Sequence, residues 1–152
     1  MIELEIATTA RIEARDITEL VQERARAAGD GFLWASCPHT TAALLLCESD
    51  PEMLRDLERV AEDLLGPLAP FQHNKNNNPN APAHLFSSLM GTQLLLPFEG
   101  QVLLGTYQRI IFLELDGPRT RRVQLKHVRL PSPPGQVINL PPPLGEGRVG
   151  AA

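Results

Sequence analysis

The sequence predicts one domain that mixes helices and strands, and three observations carry this expectation. The chain has 152 residues, close to the usual length of a single domain. Its hydrophobic content of 43% supports a real core. Its apolar pattern also switches repeatedly between a period of two and a helical period, giving strand, helix, paired strands and helix, then a more strand-rich second half.

Each element has its own local reason. Ile2, Leu4 and Ile6 alternate with Glu3 and Glu5, which predicts a half-buried strand. Residues 16–28 read as a helix, with Asp16 and Glu19 in the form of a capping box, Ile17, Leu20, Val21 and Arg24 at helical spacing, and Gly29 as its stop. The apolar runs 32–36 and 40–47, broken near Pro38, predict strands buried on both faces. Ser49-Asp50-Pro51-Glu52 then opens a second helix, with Met53, Leu54, Leu57, Val60, Ala61 and Leu64 as its core stripe and Gly66-Pro67 as its end. Residues 67–79, with Asn76, Asn77 and Asn78 in a row, form a loop because Pro and Asn favour turns. A third helix spans 81–90, capped by Asn80 and ended by Gly91, and i, i+4 spacing puts Asn80, His84 and Ser88 on one face beside Ser87. Strands follow at about 92–98, 101–115 and 120–130, divided at Glu99-Gly100 and Asp116-Gly117-Pro118.

Residues 1–130 therefore form the folded domain, and 131–152 a Pro/Gly-rich tail that cannot pack a core of its own. Within the tail, Val137-Ile138-Asn139-Leu140 is expected to pack along its own or a neighbouring subunit as an added edge strand. A formal net charge of −4 argues against bulk binding to nucleic acid or to an anionic membrane, which needs a basic face. Met1 leads directly into a strand pattern with no signal-like or spanning segment, which predicts a cytoplasmic protein. Cys37 and Cys47 have no metal-knuckle spacing and read as buried free thiols.

The candidate chemistry begins with histidine. Three of the four histidines, His39, His73 and His84, lie in polar segments that a core would not choose. Imidazole is the commonest protein metal ligand and the usual acid or base near neutral pH, so their convergence would give a metal site, a catalytic site or both. The plain alternative is three unrelated surface histidines. His127, beside Lys126 and Arg129, reads as a surface residue outside the set. Gln108 shares a strand parity with Thr106, Ile110 and Phe112, and a buried amide there would need partners or a ligand. Arg119 and Arg121, two apart at a strand start, would project from one face and could grip a phosphate, or simply be a solvated strand end. Glu48 at a strand tip and Asp56 beside a helix stripe are candidate bases that spacing does not separate, and Thr40 and Thr41 also serve as ordinary β-branched strand residues. His39 and Glu48 are nine residues apart, so a regular strand would face them in opposite directions.

In order along the chain, Pro38-His39-Thr40-Thr41-Ala42, Glu48, Asp56, His73, Asn80-Ala81-Pro82-Ala83-His84 with Ser87, Ser88 and Gly91, Gly105-Thr106-Tyr107-Gln108 and Gly117-Pro118-Arg119-Thr120-Arg121 resemble the YjbQ-like family over about residues 1–130. The sequence departs from the family pattern in Tyr107, where tryptophan is common, and in its Asn-rich 75–79 stretch. The resemblance implies an α+β fold, a single domain of mixed, mostly antiparallel β-sheets packed with about three helices. It also implies a homotrimer with sites near subunit boundaries, and weak thiamine-phosphate synthase activity on small phosphorylated metabolites. Carried onto this sequence, it implies His39, His73 and His84 as ligands of a divalent metal ion, zinc first and magnesium next. Glu48, Asp56, Thr40, Thr41 and Gln108 would then serve the chemistry, and Asn80, Ser88, Gly105, Arg119 and Arg121 would hold substrate phosphate. In that mechanism a thiazole nitrogen attacks the methylene of a pyrimidine diphosphate and pyrophosphate leaves. The alternatives are a metal-dependent hydrolase of a phosphorylated metabolite, with Glu48 or Asp56 as base, and a non-catalytic ligand-binding trimer.

Overall fold

A computed structural model describes residues 1–26, 29–73 and 77–130, together with Asn139. The elements are β1 (Ile2–Ala7), β2 (Glu13–Asp16), α1 (Thr18–Arg24), β3 (Asp30–Ser36), β4 (Ala42–Cys47), α2 (Pro51–Asp63), a 3-10 turn (Gly66–Leu68), α3 (Ala81–Met90), β5 (Gln93–Glu99), β6 (Arg109–Glu114) and β7 (Thr120–Arg129). They form a four-stranded sheet in the order β1-β7-β3-β5 and a three-stranded sheet in the order β2-β6-β4. Every pairing among the described strands is antiparallel. The fold is thus α+β, with three α-helices among the described residues.

Strand alternation builds three layers. Leu4, Ile6, Leu33, Ala35, Leu96, Phe98, Val123 and Leu125 from the larger sheet meet Ala42, Leu44, Ile110 and Phe112 from the smaller one. The opposite face of the small sheet, through Ala43, Ile111 and Leu113, packs on Ala61 of α2, on Leu65 just after it, and on Ala83 and Phe86 of α3. The uninterrupted apolar run Ile110-Ile111-Phe112-Leu113 exists because β6 lies in the middle layer, where both faces are covered. The same holds for Ala42-Ala43-Leu44 in β4. It does not hold for β3, whose Phe32 and Trp34 stay partly exposed on the outer face.

Several local expectations are corrected. Residues 13–16 form a strand paired with β6, so α1 begins at Thr18 and Asp16 serves it by accepting from the Thr18 N–H at 2.9 Å. The core stripe of α2 is narrower than its apolar content: Leu54, Leu57 and Ala61 face inward, while Met53, Val60 and Leu64 are 37%, 42% and 53% exposed. The cap of α2 forms as its sequence indicates, Asp50 accepting from Glu52 and Met53 N–H at 2.9 Å each. Residues 101–108 are loop rather than strand, with Val102 bridging back to Phe98. His127 is no outward surface residue; its ring packs 4.6 Å from Phe98. Among the described residues no helix is long and apolar enough to cross a membrane. The expectation for the tail, including Val137, Ile138 and Leu140, falls outside the described residues.

Candidate functional site

The C-terminal end of β6, the turn before β7 and the loop leading into β4 come together around a buried ion pair. Glu114 has the same strand parity as the buried Ile110 and Phe112, so its carboxylate points between the sheets and is fully buried. Arg121 of β7, in parity with Val123 and Leu125, meets it there, and its Nε and Nη2 donate to the carboxylate at 2.8 and 2.5 Å. The carboxylate also accepts the backbone N–H groups of Leu115 and Asp116, each at 3.0 Å, and the Thr8 hydroxyl at 3.0 Å. Burial alone acts to raise the Glu114 pKa, but these hydrogen bonds, Arg121 first, hold it below the usual carboxylate range. Gly117 completes the turn because a Cβ there would lie 2.3 Å from the Ala10 carbonyl oxygen and 2.8 Å from Glu114 Cγ.

The same guanidinium reaches the loop before β4. Arg121 Nη2 donates to the Thr41 hydroxyl at 2.8 Å and to its carbonyl at 3.2 Å. Two residues earlier, His39 accepts the backbone N–H of Arg122 on Nε2 at 3.0 Å. A ring nitrogen that accepts carries no proton, so neutral His39 has its proton on Nδ1. Burial, then the charges of Arg121 and Arg122, lower its pKa from 6.5 and keep it uncharged at neutral pH. Burial also pushes the neighbouring Cys37 thiol up to about 11, so it stays protonated.

His39 and Thr40 form one wall of a cleft of about 360 Å³, and His84, Ser87 and Ser88 of α3, with Gly91 and Thr92, form the other. The i, i+4 spacing of His84 and Ser88 delivers both to it, as expected. Ser87 is buried and donates to the Ala42 carbonyl at 2.6 Å, pinning α3 to β4. Asn80 occupies the cap position of α3 without capping it; its side chain donates to Asp116 at 3.1 Å instead. Arg119 donates to the same carboxylate at 3.1 Å. Despite burial, those bonds from Asn80 and Arg119 lower the Asp116 pKa.

Other expected partners are elsewhere. The three histidines do not form a metal centre: His73 meets His84 edge-on with ring centroids 5.0 Å apart, while the Nε2 lone pair of His39 is already taken by Arg122. Among the described residues no three His, Cys, Asp or Glu side chains are placed to hold a metal ion, so the zinc or magnesium set does not fit this arrangement. Arg119 and Arg121 do not form a paired grip, because Arg121 is buried against Glu114 while Arg119 is half-exposed and pairs with Asp116. Thr41 is 6% exposed and used by Arg121. Glu48 lies past the far end of β4 from His39, so roughly 20 Å of strand separates them and no facing question arises. Asp56 is exposed on α2 beside Arg59.

Gly105 and Gln108 line a different and larger cavity, of about 620 Å³, between α1 and the 100–109 loop. Gln108 is exposed and accepts the Gly105 N–H at 2.9 Å, so its amide closes a turn rather than sitting in a core. Several polar groups of that cavity already have partners. Gln22 bonds both backbone atoms of Val102 at 2.9 Å, and Arg109 pairs with Asp16 at 2.7 Å and Glu19 at 3.0 Å. Size alone therefore does not mark it as the functional site, and the smaller His39–His84 cleft is the better candidate. Sequence reading missed Glu114, Asp116, Arg122 and Thr92. For Glu114 a signal existed, its parity with Ile110 and Phe112.

The family model described as UPF0047 protein YjbQ-like matches residues 2–129. A UPF0047 protein from Archaeoglobus fulgidus is 42% identical over 125 residues, covering 82% of this chain and 98% of that protein. The UPF0047 protein YugU of Bacillus subtilis is 36% identical over 129 residues, covering 81% of this chain and 95% of that protein. The crystal structure of a hypothetical protein from Aeropyrum pernix K1 aligns with a TM-score of 0.78 at 34% identity, over 84% of this chain and 97% of that one. None of these names states an activity. Sequence relatives of matching length and a solved fold at one-third identity agree with the family model, and the chain belongs to the UPF0047 YjbQ-like family.

Proposed function

We propose that this chain binds a small phosphorylated metabolite in the His39–His84 cleft and acts on it as a transferase of the thiamine-phosphate synthase type. The observation that carries the reading is a cleft whose lining, among the described residues, holds no carboxylate and presents His39, with Nε2 engaged and Nδ1–H left to donate, beside hydroxyl side chains. Neutral donors that converge on such a cleft favour an anion there. The hydroxyls of Thr40 and Thr92 line the same cleft and supply short hydrogen-bond donors for phosphate oxygens, and that of Ser88, which donates to the His84 carbonyl at 3.0 Å, can turn from it to add a third. In the reaction, the thiazole nitrogen forms a bond to the pyrimidine methylene as the methylene–oxygen bond to pyrophosphate breaks, and the electron pair leaves with pyrophosphate. Positioning and charge stabilisation supply most of the rate.

Self-association as a homotrimer belongs to the same proposal. What supports it is that Gly105 and Gln108 lie on a separate cavity within one protomer, so a second copy would have to bring them to the cleft. The test is to incubate the protein with the pyrimidine diphosphate, the thiazole phosphate, or both, and follow thiamine phosphate and pyrophosphate. Product only with both substrates supports the synthase reading. Pyrophosphate without the thiazole partner replaces it with hydrolysis, and phosphate binding without product in any mixture replaces it with a binding role. Ser88→Ala should weaken phosphate binding by up to about ten-fold, since a hydrogen bond to a charged group is worth about 1.5–3 kcal/mol and the hydroxyl gives up a bond to the His84 carbonyl worth about 0.5–1.5 kcal/mol to make it.

A further inference from the structure

We infer that Glu114 is a positioning residue for His39: through Arg121 it fixes both partners of the His39–Arg122 hydrogen bond and so locks the imidazole in its Nδ1–H form. The first step is a gap in the sheet. β7 pairs with β1 through Arg122, opposite Glu5, but its pairing with β3 ends at Ser36 opposite Gln124. The ladder on that side thus reaches only to Gln124, two residues C-terminal to Arg122, leaving a strand N–H without a backbone acceptor. His39 Nε2 takes that place at 3.0 Å, continuing the ladder with a side chain.

A side-chain acceptor keeps such a register only if both chains are held. Arg122 is held because the preceding residue, Arg121, is anchored by two hydrogen bonds to Glu114. The loop carrying His39 is held because the same guanidinium grips Thr41 by its hydroxyl and its carbonyl. The Thr41 carbonyl also accepts the Leu115 N–H at 3.1 Å, next to Glu114 in sequence. One buried ion pair therefore ties β6, β7 and the 38–41 loop to a single point. With Nε2 occupied, His39 meets a ligand as a hydrogen-bond donor and not as a base. The inference adds this donor role to the phosphate-cleft reading and rests on it only for what the donor is for.

Nitrogen NMR of the His39 ring tests the inference without any turnover assay, so its outcome is separable from that of the synthase reading. In the unaltered protein at pH 7.5, Nδ1 should be protonated and Nε2 bare. Glu114→Gln removes the counter-charge of a buried guanidinium and is expected to lower stability, so Thr41→Val, close in shape but without the acceptor oxygen, is measured beside it. The expected result is a single Nδ1–H form in the parent and a mixture of both tautomers in Thr41→Val and in Glu114→Gln wherever it folds. A bare Nδ1 in the parent overturns the inference. An unchanged single tautomer in folded Thr41→Val overturns it as well, because the grip of Arg121 on the His39 loop would then not set the form of the ring.

Discussion

β6 carries charge at both of its ends, and the two ends treat it differently. At the start, Arg109 meets Asp16 and Glu19 with side-chain exposures of 34%, 21% and 83%. At the end, Glu114 meets Arg121 with exposures of 0% and 5%. Water solvates the first group in part, so each charge has somewhere else to turn. Even there, hydrogen bonds from Thr18 and Arg109 overcome burial and hold Asp16 at about 2. The second group has no water to fall back on, and every lone pair and N–H needs a protein partner. The larger cavity lies at the solvated end and the candidate cleft beside the sequestered one. Sequestered charge fixes geometry, and it is fixed geometry rather than cavity volume that distinguishes the two regions.

The largest expected effect tests that distinction directly. Removing one partner of a buried pair leaves an uncompensated charge, so Glu114→Gln should cost about 3–5 kcal/mol in urea unfolding. At the other end of the strand, Arg109→Gln should cost about 1 kcal/mol or less, as expected for partly exposed pairs. Equal losses would mean that the two ends are energetically alike.

A pH titration sharpens the comparison at the cleft. Burial first, then Arg121, Arg122 and Arg119, lower the His39 pKa, while Glu114 acts upward; His84 faces it across the cleft. The unfolded chain takes up a proton near pH 6.5 that native His39 refuses, so its contribution to stability is present above pH 6.5 and is lost as pH falls below it. Urea midpoints at pH 7.5, 6.5 and 5.5 should therefore fall more steeply for the parent than for His39→Gln. Parallel slopes would show that His39 titrates normally.

What the sequence made legible follows from how local each signal is. The strand β1 and the helix α2 announce themselves by periodicity, β4 by an unbroken apolar run, α3 and β7 by the cap, stop and turn residues around them, and the cleft residues His39, Thr40, His84 and Ser88 by short motifs. β2 was hidden because four residues, Glu13-Ala14-Arg15-Asp16, carry too few apolar positions to show a period. β6 was read too long because Val102, Leu103 and Leu104 extend its apolar run into a loop. The roles of Arg119 and Arg121 depended on their separate partners, Asp116 and Glu114, which spacing does not assign. Glu114 was overlooked because a lone carboxylate in an apolar strand makes sense only once its partner, seven residues on across a turn, is in place.

The smallest expected effect concerns a charge that the comparison places firmly on the solvated side. Asp56 is 64% exposed and lies 3.5 Å from Arg59 on the same helix, a surface i, i+3 pair. Such pairs contribute about 0.3–0.5 kcal/mol, so Asp56→Asn should change urea stability by no more than about that amount. It should also leave phosphate binding at the cleft unchanged, because Asp56 is not among the residues that line the cleft. Isothermal titration of inorganic phosphate into Asp56→Asn and Ser88→Ala separates the two kinds of residue. Weakening in both would mean that Asp56 is not solvated in the working assembly: a second copy would then bring α2 against the cleft, and exposure within one protomer would no longer separate structural charges from functional ones.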